Sequence, residues 1–510
     1  MTALADAVAR SFAAGEPERP AVSPLRALGR RQLSGVALLG QSVATTAPAA
    51  SMVLLPVTML THDALLPGLV TIVVATVVVT LIAHCLAQFT RRLSAAGGLY
   101  TFVSHGAGPR AALTCGVGML VKYLGSAALT MYHGSQTALA LAAQLGITVR
   151  GWGIGAVYLA IAVLVGAVLV RGVRFAAIAI LAVEACSLSF IIGLMLVSGP
   201  AVPITPVAPN VPAVLAIALS ALFALAGFES ATFFAPETRR PLVTVTRTVL
   251  WTPILCGALF IFASWAAWSG RAGTVVNAYL HGTAGGAGLL VVILLDAGLT
   301  CSWLGSSMAS SNAASRLVYS MSVEGVLPRV FGRVSARLRT PHVALIVSTG
   351  TVAAGGLLFV ALDGVPMPVK TVVRTALALS YILVAVAAVR FLARIDELSH
   401  LDRYAGGTAS SVLAVVLGYL TVSDARHGVL IAPVMVVAVL LAGALWYRYL
   451  RRAHPESLRA IGVFDSPESA DVLPGAGVFA VNARGAIALV GVRRSGGNQA
   501  GRRRFGPGER

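Results

Sequence analysis

What most limits the folds open to this chain is a series of twelve apolar stretches long enough to cross a hydrocarbon core, which takes about 20 helical residues. They read as Ser34 to Leu60, Leu65 to Gln88, Ala111 to Gln144, Trp152 to Val170, Phe175 to Val197 and Val211 to Ala235. The second six are Arg247 to Trp268, Ala287 to Asn312, Pro341 to Leu362, Lys370 to Phe391, Thr408 to Asp424 and His427 to Tyr449. Lipid offers no partner to backbone amides and carbonyls, so each stretch must bond internally; segments this long and evenly apolar are helices rather than barrel strands. The composition agrees: 57% of residues are hydrophobic and only 11% charged, against about 25% charged in soluble proteins. The prediction is an all-α integral membrane protein of twelve transmembrane helices.

Orientation follows from arginine placement. Every second connection is basic, from Arg26, Arg30 and Arg31 through Arg91 and Arg92 to Arg448, Arg451 and Arg452, while the others hold little more than Arg150, Arg271, Lys370 and Arg426. Both termini are therefore expected in the cytoplasm. The net charge of +19, which on a soluble chain would suggest nucleic acid, is here a topology signal with a contribution from anionic lipid headgroups. Nearly all the positive charge is arginine, which together with abundant Ala and Gly points to a GC-rich bacterial genome and a bacterial plasma membrane. Residues 1–30 read as a cytoplasmic tail without the short apolar core of a cleaved signal. Residues 453–510 read as a second, largely disordered cytoplasmic tail, in which "VFAVNARGAIALVGV" allows a small hairpin. The five cysteines fall within the spans, lack the spacing of metal or disulfide sites, and read as packing residues.

Two spans are interrupted. The first carries "GQSVATTAPAAS", in which Gly40 and Pro48 bracket small hydroxyl residues; the sixth carries "FALAGFESATFF", in which Gly227 precedes Phe228 and Glu229. One break opens the first five spans and the other the next five, the pattern of two inverted repeats (about 34–197 and 211–392) meeting at a midplane site, with extra helices at about 408–449. Half-helix ends there expose amides to an anion and carbonyls to a cation, which a zwitterion satisfies together.

Three stretches, "SAAGGLYTFVSHGAGP" at Ser94 to Pro109, "FALAGFESATFFAPETRRP" at Phe223 to Pro241, and "SSNAASRLVYSMSVEGVLPRVFGRVSARLRTPHVA" at Ser310 to Ala344, resemble the amino acid–polyamine–organocation permeases. That resemblance covers roughly Arg30 to Tyr449, and the membrane domain reads as residues 31–452. It implies a leucine-transporter-like fold of five plus five inverted helices with two appended, moving amino acids or amines by alternating access. It nominates Ser42, Ala44, Thr45 and Thr46 on the first break and Ala224, Gly227 and Phe228 on the sixth as substrate contacts, with Phe228 as a gate. The chain departs from the family's glycine-rich first helix: after Gly40 there is no glycine until Gly68.

Four charged residues fall near mid-depth: Glu184, Lys122 and Asp296, each about 14–16 Å into its span, and Glu229. Such groups face a cavity, pair, or exchange protons. Glu184 on the fifth span takes the place where some proton-driven relatives carry a coupling lysine; proton coupling and a structural salt bridge with Lys122 both remain open for it. Glu229 is expected to cap amides freed by the sixth-helix break, with proton transfer as a second role. Asp296 can pair with Lys122 or line a vestibule. The serines after Asp296 read as close packing, and because family members that use sodium place oxygens on this helix, sodium remains open beside the proton. No cofactor, metal or catalytic motif is legible, which leaves a transporter ahead of a membrane enzyme or a sensor. The favoured reading is import of a neutral amino acid with a proton, and the alternative is an amine or polyamine permease or exchanger. Oligomeric state is not legible.

Overall fold

The apolar stretches of the sequence are helices in the computed structural model, which describes residues 33–171, 173–199, 211–335, 340–426, 428–462, 478–481 and 487–490. The tail to residue 32 and most of the chain past residue 462 lie outside the described residues.

The first span is two helices, α1 (Gly35–Thr45) and α2 (Pro48–Thr61). There follow α3 (Leu65–Thr90), the short α4 (Leu99–Ala107), α5 (Pro109–Gln144), α6 (Trp152–Arg171) and α7 (Val173–Val197). The sixth span is α8 (Val211–Leu225) followed by a tightly wound 3-10 segment, Phe228–Glu237. Next come α9 (Pro241–Trp268), α10 (Gly273–His281), α11 (Leu289–Val323) and α12 (His342–Ala361). The membrane part closes with α13 (Met367–Arg394), α14 (His400–Arg426) and α15 (Ile431–Ala453), and the short α16 (Pro455–Ala460) follows. Among the described residues, eleven spans are long and apolar enough to cross a membrane, and α7 coincides with the fifth span read from the sequence.

Several helices outrun their apolar limits. α11 continues past Asn312 to Val323, and α14 covers 27 residues where the apolar run is far shorter. The reason is that hydropathy reports contact with lipid, not helicity: Ser315 and Arg316 are fully buried inside the protein, so their stretch of α11 stays helical without being apolar.

Burial separates the centre from the rim. The most apolar window of the first span is 78% buried and that of α5 is 72% buried, whereas that of α15 is only 17% buried. Val73, Val77, Leu164 and Leu441 stand exposed on outward faces, a surface that needs an apolar solvent. Of the cysteines, Cys85, Cys115 and Cys256 are buried, but Cys186 and Cys301 are exposed, so packing does not account for those two.

Separately, β1 (Val478–Val481) pairs antiparallel with β2 (Ile487–Val490), Val478 opposite Val490.

Candidate functional site

The first break lies at Thr46 and Ala47. Pro48 disfavours helical backbone in the residue before it, and Ala47 adopts the left-handed conformation, φ 45° and ψ 61°, at a cost of about 1–2 kcal/mol for a residue with a Cβ. Gly40, expected to mark the break, is helical and buried within α1, so the interruption comes later in the chain than the glycine suggested. Hydroxyls finish α1: Thr45 Oγ1 donates to Gln41 O at 2.8 Å and Thr46 Oγ1 to Val43 O at 2.7 Å.

The freed amides at the start of α2 all have acceptors within the protein. Pro48 has no N–H; Ala49 N donates to Glu184 Oε1 at 2.8 Å, Ala50 N to Ser302 Oγ at 3.3 Å, and Ser51 N to Ala47 O at 2.9 Å. Ser302 Oγ also donates to Glu184 Oε1, at 2.9 Å. A carboxylate from α7 thus completes the positive end of α2, which a helix start favours. The salt bridge between Glu184 and Lys122 considered from the sequence is not formed.

The second break is at Gly227, with φ 144°. Glu229 folds back to accept Gly227 N on Oε2 at 2.9 Å, the capping expected of it. Lys122 Nζ at 2.8 Å and Tyr123 OH at 3.0 Å donate to Oε1, and Tyr381 OH at 2.8 Å to Oε2. Lys122 and Glu229 are both buried, so the partner of Lys122 is Glu229, not Asp296, which is half-buried on α11.

The two breaks touch. A Cβ placed on Gly227 would meet Thr45 Cβ at 2.9 Å, so only glycine allows this approach. Ser42 Oγ donates to Phe228 O at 3.1 Å, Thr45 Oγ1 shares a 3.1 Å bond with Ser230 Oγ, and Ser306 Oγ on α11 donates to Thr45 O at 2.9 Å.

Beside the contact lies a cavity of about 240 Å³. It is bounded by Thr45 to Ala47, the Ser51 to Thr58 side of α2, Phe223, Ala224 and Ala226 of the sixth span, Ser126 and His133 of α5, and Trp303 of α11. Lys370 and Arg374 of α13 complete the wall. Of the nominated substrate contacts, Thr45, Thr46 and Ala224 face the cavity, whereas Ser42, Ala44, Gly227 and Phe228 do not line it. The Phe228 ring is fully buried, 5.8 Å from that of Tyr381, and the aromatic ring of the sixth span on the cavity wall is Phe223. The Trp303 and His133 rings meet at a tilt of 33°, with centroids 5.3 Å apart. Sequence reasoning passed over Arg374; its signal was a second cation one helical turn after Lys370 at the head of an apolar span.

On the other side of the breaks the protein is closed. Glu237 accepts Arg316 Nε at 3.1 Å, both buried, and the Arg316 guanidinium lies 4.9 Å from the Phe234 ring. Leu33 N donates to Glu237 O at 3.0 Å and Arg239 N to Leu33 O at 3.3 Å. Gly98 sits so close to the 3-10 segment that a Cβ would meet Phe233 at 2.7 Å. The three stretches that carried the family resemblance therefore converge on this one closure. Among the described residues, no cluster of His, Cys, Asp or Glu suits a metal ion.

The profile of the family described as amino acid permease matches residues 34–453. No curated protein matches the chain.

Proposed function

The chain belongs to the amino acid permease family, and from that premise we propose that it is a secondary active transporter importing amino acids across a bacterial plasma membrane by proton-coupled alternating access. The observation that carries the reading is the contact of Gly227 with Thr45 beside the cavity: two broken helices meet where a small molecule fits, the arrangement of midplane transport sites. The proposed layout is five plus five inverted helices with two appended. With the basic connections in the cytoplasm, the cavity faces outward and the Arg316–Glu237 closure faces inward.

The substrate enters against Thr45, Thr46 and Ala224, and inward release requires the 3-10 segment to part from α1 and α11. Glu184 is the proton site. Ionised, its carboxylate holds the positive end of α2 and Ser302 of α11 together; protonated, it loses the charge that strengthens both bonds. The proton thereby controls whether α2 is fixed to α11. Glu229, already satisfied by four donors, holds the sixth-helix break in place. An amine or polyamine would enter a cavity with two cations and no acidic side chain in its wall, which disfavours the alternative. The test is uptake of a panel of labelled amino acids and amines into proteoliposomes, with and without an inward proton gradient; uptake of amines alone, or uptake insensitive to the gradient, overturns the proposal.

A further inference from the structure

The chemistry of the cavity wall also restricts what can be carried, given that the cavity is the transport site. The amides at the first break, which would otherwise receive a substrate carboxylate, are occupied by Glu184, Ser302 and Ala47 O. A carboxylate entering the cavity must find its donors elsewhere. Lys370 and Arg374, one helical turn apart on α13, supply them.

Both cations are half-buried, and among the described residues neither has an acidic partner. The hydrogen bond held by the Arg374 side chain is a long one, Nη2 to Ser220 Oγ at 3.4 Å, which leaves most of its guanidinium donors free. No Asp or Glu lines the cavity. Two unpaired cations facing a partly desolvated cavity are costly unless an anion arrives to pair with them, and the planar fork of arginine matches a carboxylate with two parallel bonds.

We infer that the substrate carries more carboxylates than ammonium groups, an acidic amino acid or similar dicarboxylate, and that Arg374, assisted by Lys370, receives a carboxylate. The sequence argued for a neutral amino acid because no acidic cluster marked the site. Together with Arg374 and Lys370, that absence leaves an uncompensated positive wall, and the substrate class shifts accordingly.

The test uses purified full-length protein in proteoliposomes, with labelled L-glutamate, L-leucine and L-lysine compared for wild type, Arg374→Gln and Arg374→Lys. L-glutamate uptake is expected to exceed L-leucine uptake by about tenfold or more, and Arg374→Gln to lower it by at least about tenfold, with Arg374→Lys losing less. In detergent, L-glutamate is expected to raise the melting temperature of wild type but not of Arg374→Gln, a readout independent of transport. If Arg374→Gln does not fold, wild-type selectivity and Arg374→Lys decide. Preference for L-leucine or L-lysine, or undiminished L-glutamate uptake by a folded Arg374→Gln protein, overturns the inference while leaving amino acid transport standing. Failure to carry any of the three overturns the inference, and the wider panel of amino acids then decides whether amino acid transport stands.

Discussion

The Glu184 carboxylate accepts the backbone N–H of Ala49 at 2.8 Å, so a side chain of α7 completes the start of the half-helix α2. This contact joins residues 135 apart in sequence and ties one arm of the first-helix break to a second helix. Removing the carboxylate leaves a buried amide without an acceptor. Glu184→Ala should therefore destabilise the protein by about 1–3 kcal/mol, whereas Glu184→Gln, whose amide oxygen still accepts, should lose under about 1 kcal/mol. Thermal unfolding in detergent distinguishes the two, and equal losses would show that the bond to Ala49 contributes nothing.

The Lys122–Glu229 pair is fully buried. Deleting one member strands the other: Glu229→Ala should cost about 3–5 kcal/mol, and adding Lys122→Met to Glu229→Ala should recover part of that loss. A double-mutant cycle on unfolding free energies checks it; additive losses would deny the coupling.

Gly227 has a backbone that L side chains rarely adopt, and Thr45 occupies the space a methyl group would need. Gly227→Ala should lower uptake by at least about tenfold and stability by about 1–3 kcal/mol. Adding Thr45→Ser should not rescue it, because Thr45 Cβ and its carbonyl carbon remain within about 3.1 Å of the new methyl group. Wild-type uptake by Gly227→Ala would remove the helix contact from the account.

The closure on the far side of the breaks from the cavity is held by Arg316 on Glu237 and by the backbone bonds of Leu33. Glu237→Gln weakens the charged part and leaves the shape. Hydrogen exchange at the amides of Leu33 and Arg239, which bond across the closure, should quicken by about tenfold or more, since exchange follows local opening. Unchanged exchange in a folded variant would place the gate elsewhere.

Much of this fold was legible because lipid imposes a length and a composition on every crossing segment, and the breaks were legible because Pro48 and Gly227 disturb helical backbone for known reasons. The location of the first break was displaced, since Gly40 tolerates a helix while the steric demand of Pro48 falls on Ala47. Partners across the bundle were not legible. That Lys122 meets Glu229 rather than Glu184 or Asp296 depends on which faces of α5, α7 and α11 turn inward, a rotation that uniformly apolar helices do not encode. The short apolar run inside α14 likewise understated a 27-residue helix. Arg374 was hidden for a simpler reason: beside Lys370 at the head of a span, it resembles a topology signal until the structure shows both lining a cavity.

Whether Glu184 couples transport to protons is tested by proton-driven accumulation by wild type and Glu184→Gln, using in proteoliposomes the labelled amino acid that wild type carries fastest. Wild type should concentrate it only under an inward proton gradient, and Glu184→Gln should exchange internal for external substrate without concentrating it. Accumulation by Glu184→Gln equal to wild type, or wild-type uptake indifferent to the gradient, would contradict the account.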